Sequence, residues 1–405
     1  MDAGGGVPRR DPSGQPPFHR PLPRSRLPRI GGKPVAQHRR LDAAATQTGK
    51  SGASKKSMAI TIEDRPIGPK EASYLVAEIG LNYNGDLGLA RETIDAAKDS
   101  GADAVKFQNY VTEDFISDHS LTHEYIENGK TVVRSQYEMF KAYELSESDL
   151  AALAEYCREC GIGFHSTLTY PEGVRLLANL GVGVLKNGSD YLTNLDLVRA
   201  MGETGLPTVL STGMATVGEI DDAVRAFRQT GNDKLILLHC VSNYPCDPKD
   251  LNLRRIGTLQ DCFNCPVGLS DHSEGAFAAA LAVGLGACWI EKHFTLDKTL
   301  PGPDHRFSAD PLEFKAMAEG VRIAEVALGS AQLGPTGSEE DARHGWRLSC
   351  VTARDLDANH KIERSDIAFN RPGTGLPPKG ADWLVGRSIK TALTKGHVLS
   401  PEDLL

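Results

Sequence analysis

The stretch Cys288–Phe294 reads CWIEKHF and sets Glu291, Lys292 and His293 directly behind an apolar run. Ionisable groups at the end of a segment that should be buried need a reason, because burying a charge is costly unless it is paired. Comparable groups follow seven other short apolar runs: Glu78; Lys106 and Gln108; Ser166 and Thr167; Lys186 and Ser189; Ser211 and Thr212; His239; and Ser270, Asp271 and His272. The lysines Lys106, Lys186 and Lys292, with hydroxyls beside them, would make a cationic pocket suited to a phosphate- or carboxylate-bearing substrate. His272 and His293, if carried on neighbouring strands, can hold one divalent metal and leave coordination positions for water and substrate. Glu78 is a candidate general base or water-positioning group, and equally a candidate ion-pair partner for a lysine. Asp304 and His305 lie in TLPGPDHRFS, a Gly/Pro-rich stretch that reads as a loop able to close over the site.

Such groups act together only if the chain brings them to one place. The runs are YLVAEIG, DAVKFQ, IGFHST, GVLKNGS, TVLSTG, LILLHC, VGLSDH and CWIEKH, between residues 74 and 294. Segments of helical length separate them, such as DLGLARETIDAAKDSG, with Leu87, Ala90, Ile94 and Ala97 on one face, and SESDLAALAEYCRECG, with a serine and acidic start and a glycine stop. Eightfold strand–helix alternation predicts an α/β fold, a (β/α)8 TIM barrel over residues 58–328, whose strand C-termini converge on one mouth. A Gly/Ser/acidic linker is expected at 329–343. Residues 344–405 lack long helical periodicity and hold short strand-like pieces such as LSCVTA, which predicts a small β-rich domain.

Composition excludes other classes. No apolar run approaches the roughly 18 residues of a membrane span, so no membrane partner is expected. Residues 1–57 carry 12 Lys/Arg against 3 Asp/Glu, which leaves 33 against 50 in the remainder. The folded part is therefore acidic, which argues against nucleic acid as a partner. The basic, Pro-rich first 57 residues show no helical or strand period and are expected to be a disordered extension without a catalytic role. The eight cysteines, with no secretory signal, predict reduced thiols in a cytoplasmic protein. Cys157/Cys160 and Cys262/Cys265 precede the third and seventh strands on opposite sides of the barrel, so they read as free thiols rather than a zinc site.

In order and spacing, AEIGLNYNGD, ADAVKFQ, LSTGM, LHCVSNYP, GLSDHS and IEKHFTLD with PGPDHRFS resemble the sialic acid synthase family over about residues 74–330. The block 344–405, with RPGTGL near its middle, resembles the antifreeze-like domain these enzymes carry. The resemblance implies condensation of phosphoenolpyruvate with an N-acetylated amino sugar to a nine-carbon sialic acid and phosphate, using Mn or Mg. It assigns Lys106, Thr167, Lys186, Ser189, Ser242, Tyr244 and Ser270 to phosphoenolpyruvate, and His272 and His293 to the metal. It assigns Gln108, Tyr244 and Asp304 to the sugar, and Glu78 to water addition. Arg371 in RPGTG would reach a partner's active site, which implies a domain-swapped homodimer.

The chain departs from the family where Ser189 is followed by Asp190 and Tyr191, and where Val241, Ser242 and Asn243 precede Tyr244. These changes bear on the acceptor: N-acetylmannosamine is the favoured expectation, and a 6-deoxy diacetamido sugar, as in legionaminate synthesis, the alternative. Two other readings stand beside it. A Schiff-base aldolase would use Lys106, Lys186 or Lys292 as nucleophile, and a non-catalytic sugar-binding protein would use the barrel as a scaffold.

Overall fold

The computed structural model describes residues 59–127 and 130–405; the expectations for residues 1–57 lie outside the described residues. A short antiparallel hairpin, β1 (Ile60–Ile62) and β2 (Arg65–Ile67), leads into β3 (Tyr74–Gly80). Alternation follows: α1 (Leu87–Asp99), β4 (Ala104–Asn109), α2 (Thr112–Phe115), a second hairpin of β5 (Thr122–Glu127) and β6 (Lys130–Ser135), α3 (Gln136–Ala142), α4 (Glu147–Cys160) and β7 (Gly163–Leu168). The chain continues as α5 (Pro171–Asn179), β8 (Leu185–Asn187), α6 (Leu195–Glu203), β9 (Thr208–Ser211), α7 (Val217–Arg228), β10 (Leu235–Cys240), α8 (Arg255–Phe263), β11 (Val267–Asp271), α9 (Phe277–Gly284), β12 (Trp289–His293) and α10 (Pro311–Leu328). β3, β4 and β7–β12 form a closed, eight-stranded parallel barrel, with β12 pairing back onto β3. The TIM-barrel expectation is met, and each of the eight sequence runs supplies one barrel strand.

Local chemistry explains the helices. α4 begins with a reciprocal capping box between Ser146 and Asp149 and ends at Gly161, whose φ of 69° is the left-handed conformation that glycine adopts without penalty. α7 begins with the equivalent Thr216–Glu219 box. The outward faces of the strands pack on these helices in one large core that includes Leu75, Ile79, Phe107, Leu237 and Ile290.

The inward face changes character along the barrel. Its lower part is apolar, where Tyr74, Val76, Val184, Val209, Ile236, Leu238 and Trp289 form a buried cluster with Ile60, Ile62 and Ile67 of the first hairpin. That hairpin therefore closes the N-terminal end. Its upper part carries Glu78, Lys106, Lys186, Ser211, Ser270, Glu291 and His293, all buried.

After α10 the chain differs from the sequence reading. The stretch expected as linker holds a 3-10 turn (Gly337–Glu339), capped reciprocally by Thr336 and Glu339, and the first four residues of α11 (Glu340–Trp346). The acidic residues that suggested a solvated linker instead occupy a helix start, where carboxylates are favoured. Then come the antiparallel pair β13 (Ser349–Thr352) and β14 (Ile367–Asn370), and the short α12 (Ala381–Leu384). This small domain has its own core, including Cys350, Leu356, Ile362, Ile389 and Leu399. All eight cysteines are free thiols, and no described helix is long and apolar enough to cross a membrane.

Candidate active site

Side-chain parity along β12 decides what CWIEKHF faces. Trp289, Glu291 and His293 point into the barrel. Lys292 points outward, where its ammonium bonds Asp271 Oδ2 at 2.8 Å and also Ser273 O. Lys292 and Asp271 are thus a buried ion pair behind the wall, not part of a cationic pocket. His239 also leaves the mouth, its Nε2 donating to Leu251 O at 2.6 Å.

The remaining two lysines meet two carboxylates. Lys106 Nζ lies 2.5 Å from Glu78 Oε2 and 3.6 Å from Glu291 Oε1, while Lys186 Nζ lies 3.5 Å from the same Glu291 oxygen. The expected cationic pocket is therefore a balanced cluster of two cations and two anions. Burial disfavours the Lys106 ammonium, but Glu291 and Glu78 outweigh it and raise its pKa. Burial lowers that of Lys186. For the carboxyls, burial raises Glu78 against the pull of Lys106, whereas in Glu291 the attraction of both lysines prevails over burial and lowers it.

Hydroxyls complete this floor. Lys106 Nζ donates to Thr167 Oγ1 at 2.7 Å, and Lys186 Nζ to Ser211 Oγ at 2.8 Å. Ser270 Oγ donates to Glu291 Oε1 at 3.4 Å, and Ser189 Oγ accepts from Gly213 N at 3.0 Å. Gly213 makes room for two of these hydroxyls: a Cβ there would displace Ser242 Oγ and Ser189 Oγ, the latter only 2.6 Å away. All these groups line a deep cavity of about 320 Å³.

A second cavity, of about 600 Å³, lies above it, and Gln108, Phe140, Tyr244 and His293 border both. Here the two imidazoles meet, with ring centroids 5.6 Å apart. His272 Nδ1 donates to Val241 O at 2.8 Å, which in the neutral ring leaves the lone pair on Nε2. Burial opposes the His272 cation, but Cys240 and the Val241 carbonyl outweigh it. His293 is held neutral by burial and the nearby His272, and its buried Nδ1 has no hydrogen-bond partner. One imidazole with a fixed tautomer and one neutral and unpartnered fit a pair of metal ligands. Among the described residues no group of three or more His, Cys, Asp or Glu converges as a metal site. An ion on this pair would therefore take its other ligands from water or substrate.

Asp304 Oδ2 lies 3.7 Å from His293 Nδ1, and burial, with Glu78, raises its pKa to about 7. Tyr244 packs against His272 with centroids 4.0 Å apart and the ring planes tilted by 34°.

Of the residues singled out in the sequence, Glu78, Lys106, Gln108, Thr167, Lys186, Ser189, Ser242, Tyr244, Ser270, His272, His293 and Asp304 border one or both cavities. Arg371 does not: it is exposed, and its Nε donates to Trp346 O at 3.1 Å.

These findings can be set beside known proteins. The NeuB family profile matches residues 93–333, more than half the chain, and the SAF domain profile matches residues 349–405. The chain belongs to the NeuB family. It is 42% identical over 344 residues to N,N'-diacetyllegionaminic acid synthase of Legionella pneumophila, a match spanning 84% of this chain and 97% of that protein. It is 32% identical over 350 residues to N-acetylneuraminate-9-phosphate synthase of Drosophila melanogaster, spanning 79% and 92%. A crystal structure of N-acetylneuraminic acid synthetase from Leptospira borgpetersenii superposes with a TM-score of 0.65 at 35% identity, covering 71% of this chain and 95% of that one. The resemblance drawn from the motifs is therefore borne out, and so is the two-part architecture of barrel and antifreeze-like domain.

Other members of this NeuB-family site had no assigned role in the sequence reading. Glu291, which bridges both lysines, shares inward parity with His293, so the two-residue strand period carried the signal. Asp190 lines the deep cavity, and burial raises its carboxyl. The wall residues His123, Glu124 and Tyr125 come from the β5–β6 hairpin, an insertion that strand–helix alternation does not foresee.

Proposed function

We propose that this protein condenses phosphoenolpyruvate with an N-acylated amino sugar to a nine-carbon sialic-type acid and phosphate, and that its acceptor is a 6-deoxy diacetamido sugar of the legionaminate type. The observation that carries the reaction is the stacking of the two cavities: two ammoniums, their two carboxylate partners and five hydroxyls at the base, and two imidazoles with Asp304 immediately above. Identity favours the legionaminate-type acceptor, at 42% to the Legionella pneumophila synthase against 35% to the Leptospira borgpetersenii N-acetylneuraminic acid synthetase. The upper cavity agrees with it, since Leu81, Met139, Phe140 and Phe307 give it apolar walls suited to a deoxy methyl and an acetamido methyl.

Phosphoenolpyruvate binds in the deep cavity, its phosphate and carboxylate on Lys106, Lys186, Thr167, Ser189, Ser242 and Ser270. Its methylene carbon attacks the sugar aldehyde, presented at the junction by Gln108, Tyr244 and Asp304. The carbon–carbon bond forms, the aldehyde oxygen takes a proton, and positive charge develops at the enol carbon. Glu78 stabilises that charge and holds the water that adds there; phosphate then leaves by carbon–oxygen cleavage, with both lysines stabilising it. A divalent metal, Mn or Mg, held by His272 and His293 would supply polarisation of the aldehyde oxygen. A cytoplasmic, domain-swapped homodimer, in which Arg371 of one chain meets the sugar bound by the other, completes this reading.

The test is phosphate release from phosphoenolpyruvate with each acceptor. Release is expected only with sugar and metal together, and faster with the diacetamido sugar than with N-acetylmannosamine. Sugar-independent release, or indifference to a chelator, would refute the reaction as written. Borohydride with pyruvate should trap no adduct, because neither Lys106 nor Lys186 acts as a Schiff-base nucleophile here.

A further inference from the structure

An imidazole interrupts the barrel interior where its apolar lower part meets the charged cluster above. His165 shares the inward side of β7 with Thr167 and is the register partner of Lys106 on β4. It is 2% exposed and packs between two near-parallel rings, Tyr74 at 5.6 Å and Trp289 at 5.5 Å between centroids. An apolar side chain would fill such a slot without cost, whereas a buried ring nitrogen costs stability unless it is hydrogen-bonded.

His165 Nε2 meets Tyr74 Oη at 3.4 Å, but Nδ1 has no hydrogen-bond partner among the described residues. Trp289 Nε1, on the ring stacked against His165, and Glu291 Oε2, two residues further along β12 on the same side, share that condition. Burial lowers the His165 pKa to about 3 against the pull of Glu291, the charged group that acts on it most strongly, so the ring is neutral. It therefore carries a single proton. A carboxylate only accepts, so that proton belongs on Nδ1 and Tyr74 donates to Nε2. The set is then two N–H donors and one carboxylate oxygen, none bonded to another. A water molecule matches it, accepting from His165 Nδ1 and Trp289 Nε1 and donating to Glu291 Oε2.

We propose that an internal water held by His165, Trp289 and Glu291 fixes the Glu291 carboxylate, and that His165 is thereby a positioning residue for the phosphoenolpyruvate site. Glu291 Oε1 faces both Lys106 and Lys186, so rotation of the carboxyl would release both ammoniums. Anchoring Oε2 from beneath holds Oε1 between them before substrate arrives. The water does not depend on the reaction; its effect on substrate binding rests on the proposed function.

The experiment joins a crystal structure to three substitutions. A high-resolution structure of the wild type should show a water about 3 Å from His165 Nδ1, Trp289 Nε1 and Glu291 Oε2. Asn and Gln divide the imidazole between them: the Asn amide reaches the place of Nδ1, the Gln amide that of Nε2, and Leu supplies neither. His165→Leu and His165→Gln should raise KM for phosphoenolpyruvate about tenfold with kcat within about twofold, while His165→Asn stays within about threefold of wild type. Calorimetric binding of inorganic phosphate should follow the same order without any turnover. A packing role predicts the reverse, because Asn is the smallest of the three and leaves the largest void. That reversed order, equal values in all three variants, or no water at the site would overturn the proposal. Failure of the wild type to release phosphate with either sugar would refute the reaction alone, because the water and the phosphate-binding order are read without it.

Discussion

Glu291 serves two ammoniums through one oxygen, while its Oε2 has no hydrogen-bond partner. Replacing it by Gln leaves Lys186 without a carboxylate partner in a site where burial already lowers its pKa. Glu291→Gln should therefore reduce kcat/KM for phosphoenolpyruvate by about a hundredfold, with no change in acceptor preference, as steady-state kinetics with both sugars would show. At Gly213 the constraint is steric. Gly213→Ala drives a methyl group between Ser189 and Ser242, so KM for phosphoenolpyruvate should rise about tenfold or more while circular dichroism stays native. Equal KM values would remove those two hydroxyls from the phosphate site.

At the scale of elements, the small C-terminal domain holds its own buried ion. Asp366 is fully buried; it accepts from Arg354 at 2.8 Å, His360 at 2.7 Å and the Glu363 amide at 2.9 Å. Burial alone would raise its carboxyl, but these donors prevail and hold it below the usual range. A depressed folded pKa stabilises above the unfolded value, about 4, and that contribution is lost as pH falls through the folded one. Protection of amides 349–405 against hydrogen exchange, taken relative to the free-peptide rate at each pH, should fall below about pH 4 in the whole chain. Asp366→Asn should lose about 1–2 kcal/mol at neutral pH, because the Arg354 partner is largely exposed and screened, and should flatten that acid dependence; an unchanged profile would show that the pair is immaterial. The elements also mark where sequence reading stops. The barrel strands were legible because their apolar runs are unbroken, and α4 because its serine and glycine ends are local signals. Lys292 was misplaced because neighbouring residues on a strand face opposite ways, and a list of strand-end residues ignores that parity. The hairpins were missed because each is a short departure from a long alternating pattern, and α11 because its acidic start resembles a solvated linker.

For the whole molecule, the sharpest test concerns Arg371, which borders neither cavity of its own chain. Mixing Arg371→Ala with His272→Ala chains gives heterodimers in which, if the arginine acts across the interface, one mouth is complete and the other lacks both groups. Such a mixture should recover up to about half the activity per intact dimer, while each variant alone stays impaired. No recovery would place the arginine within its own chain and refute the swapped dimer. The first hairpin has a consequence of another kind. With Ile60, Ile62 and Ile67 packed across the N-terminal end, traffic into the deep cavity uses the C-terminal mouth, and that cavity's own rim there includes Met214, 72% exposed. Both reactants share one doorway, and a sugar bound in the upper cavity narrows it without closing it. Inorganic phosphate should therefore inhibit competitively against phosphoenolpyruvate, and saturating sugar acid should slow the exchange of labelled phosphate without abolishing it. A complete block would show that the upper cavity is the sole passage.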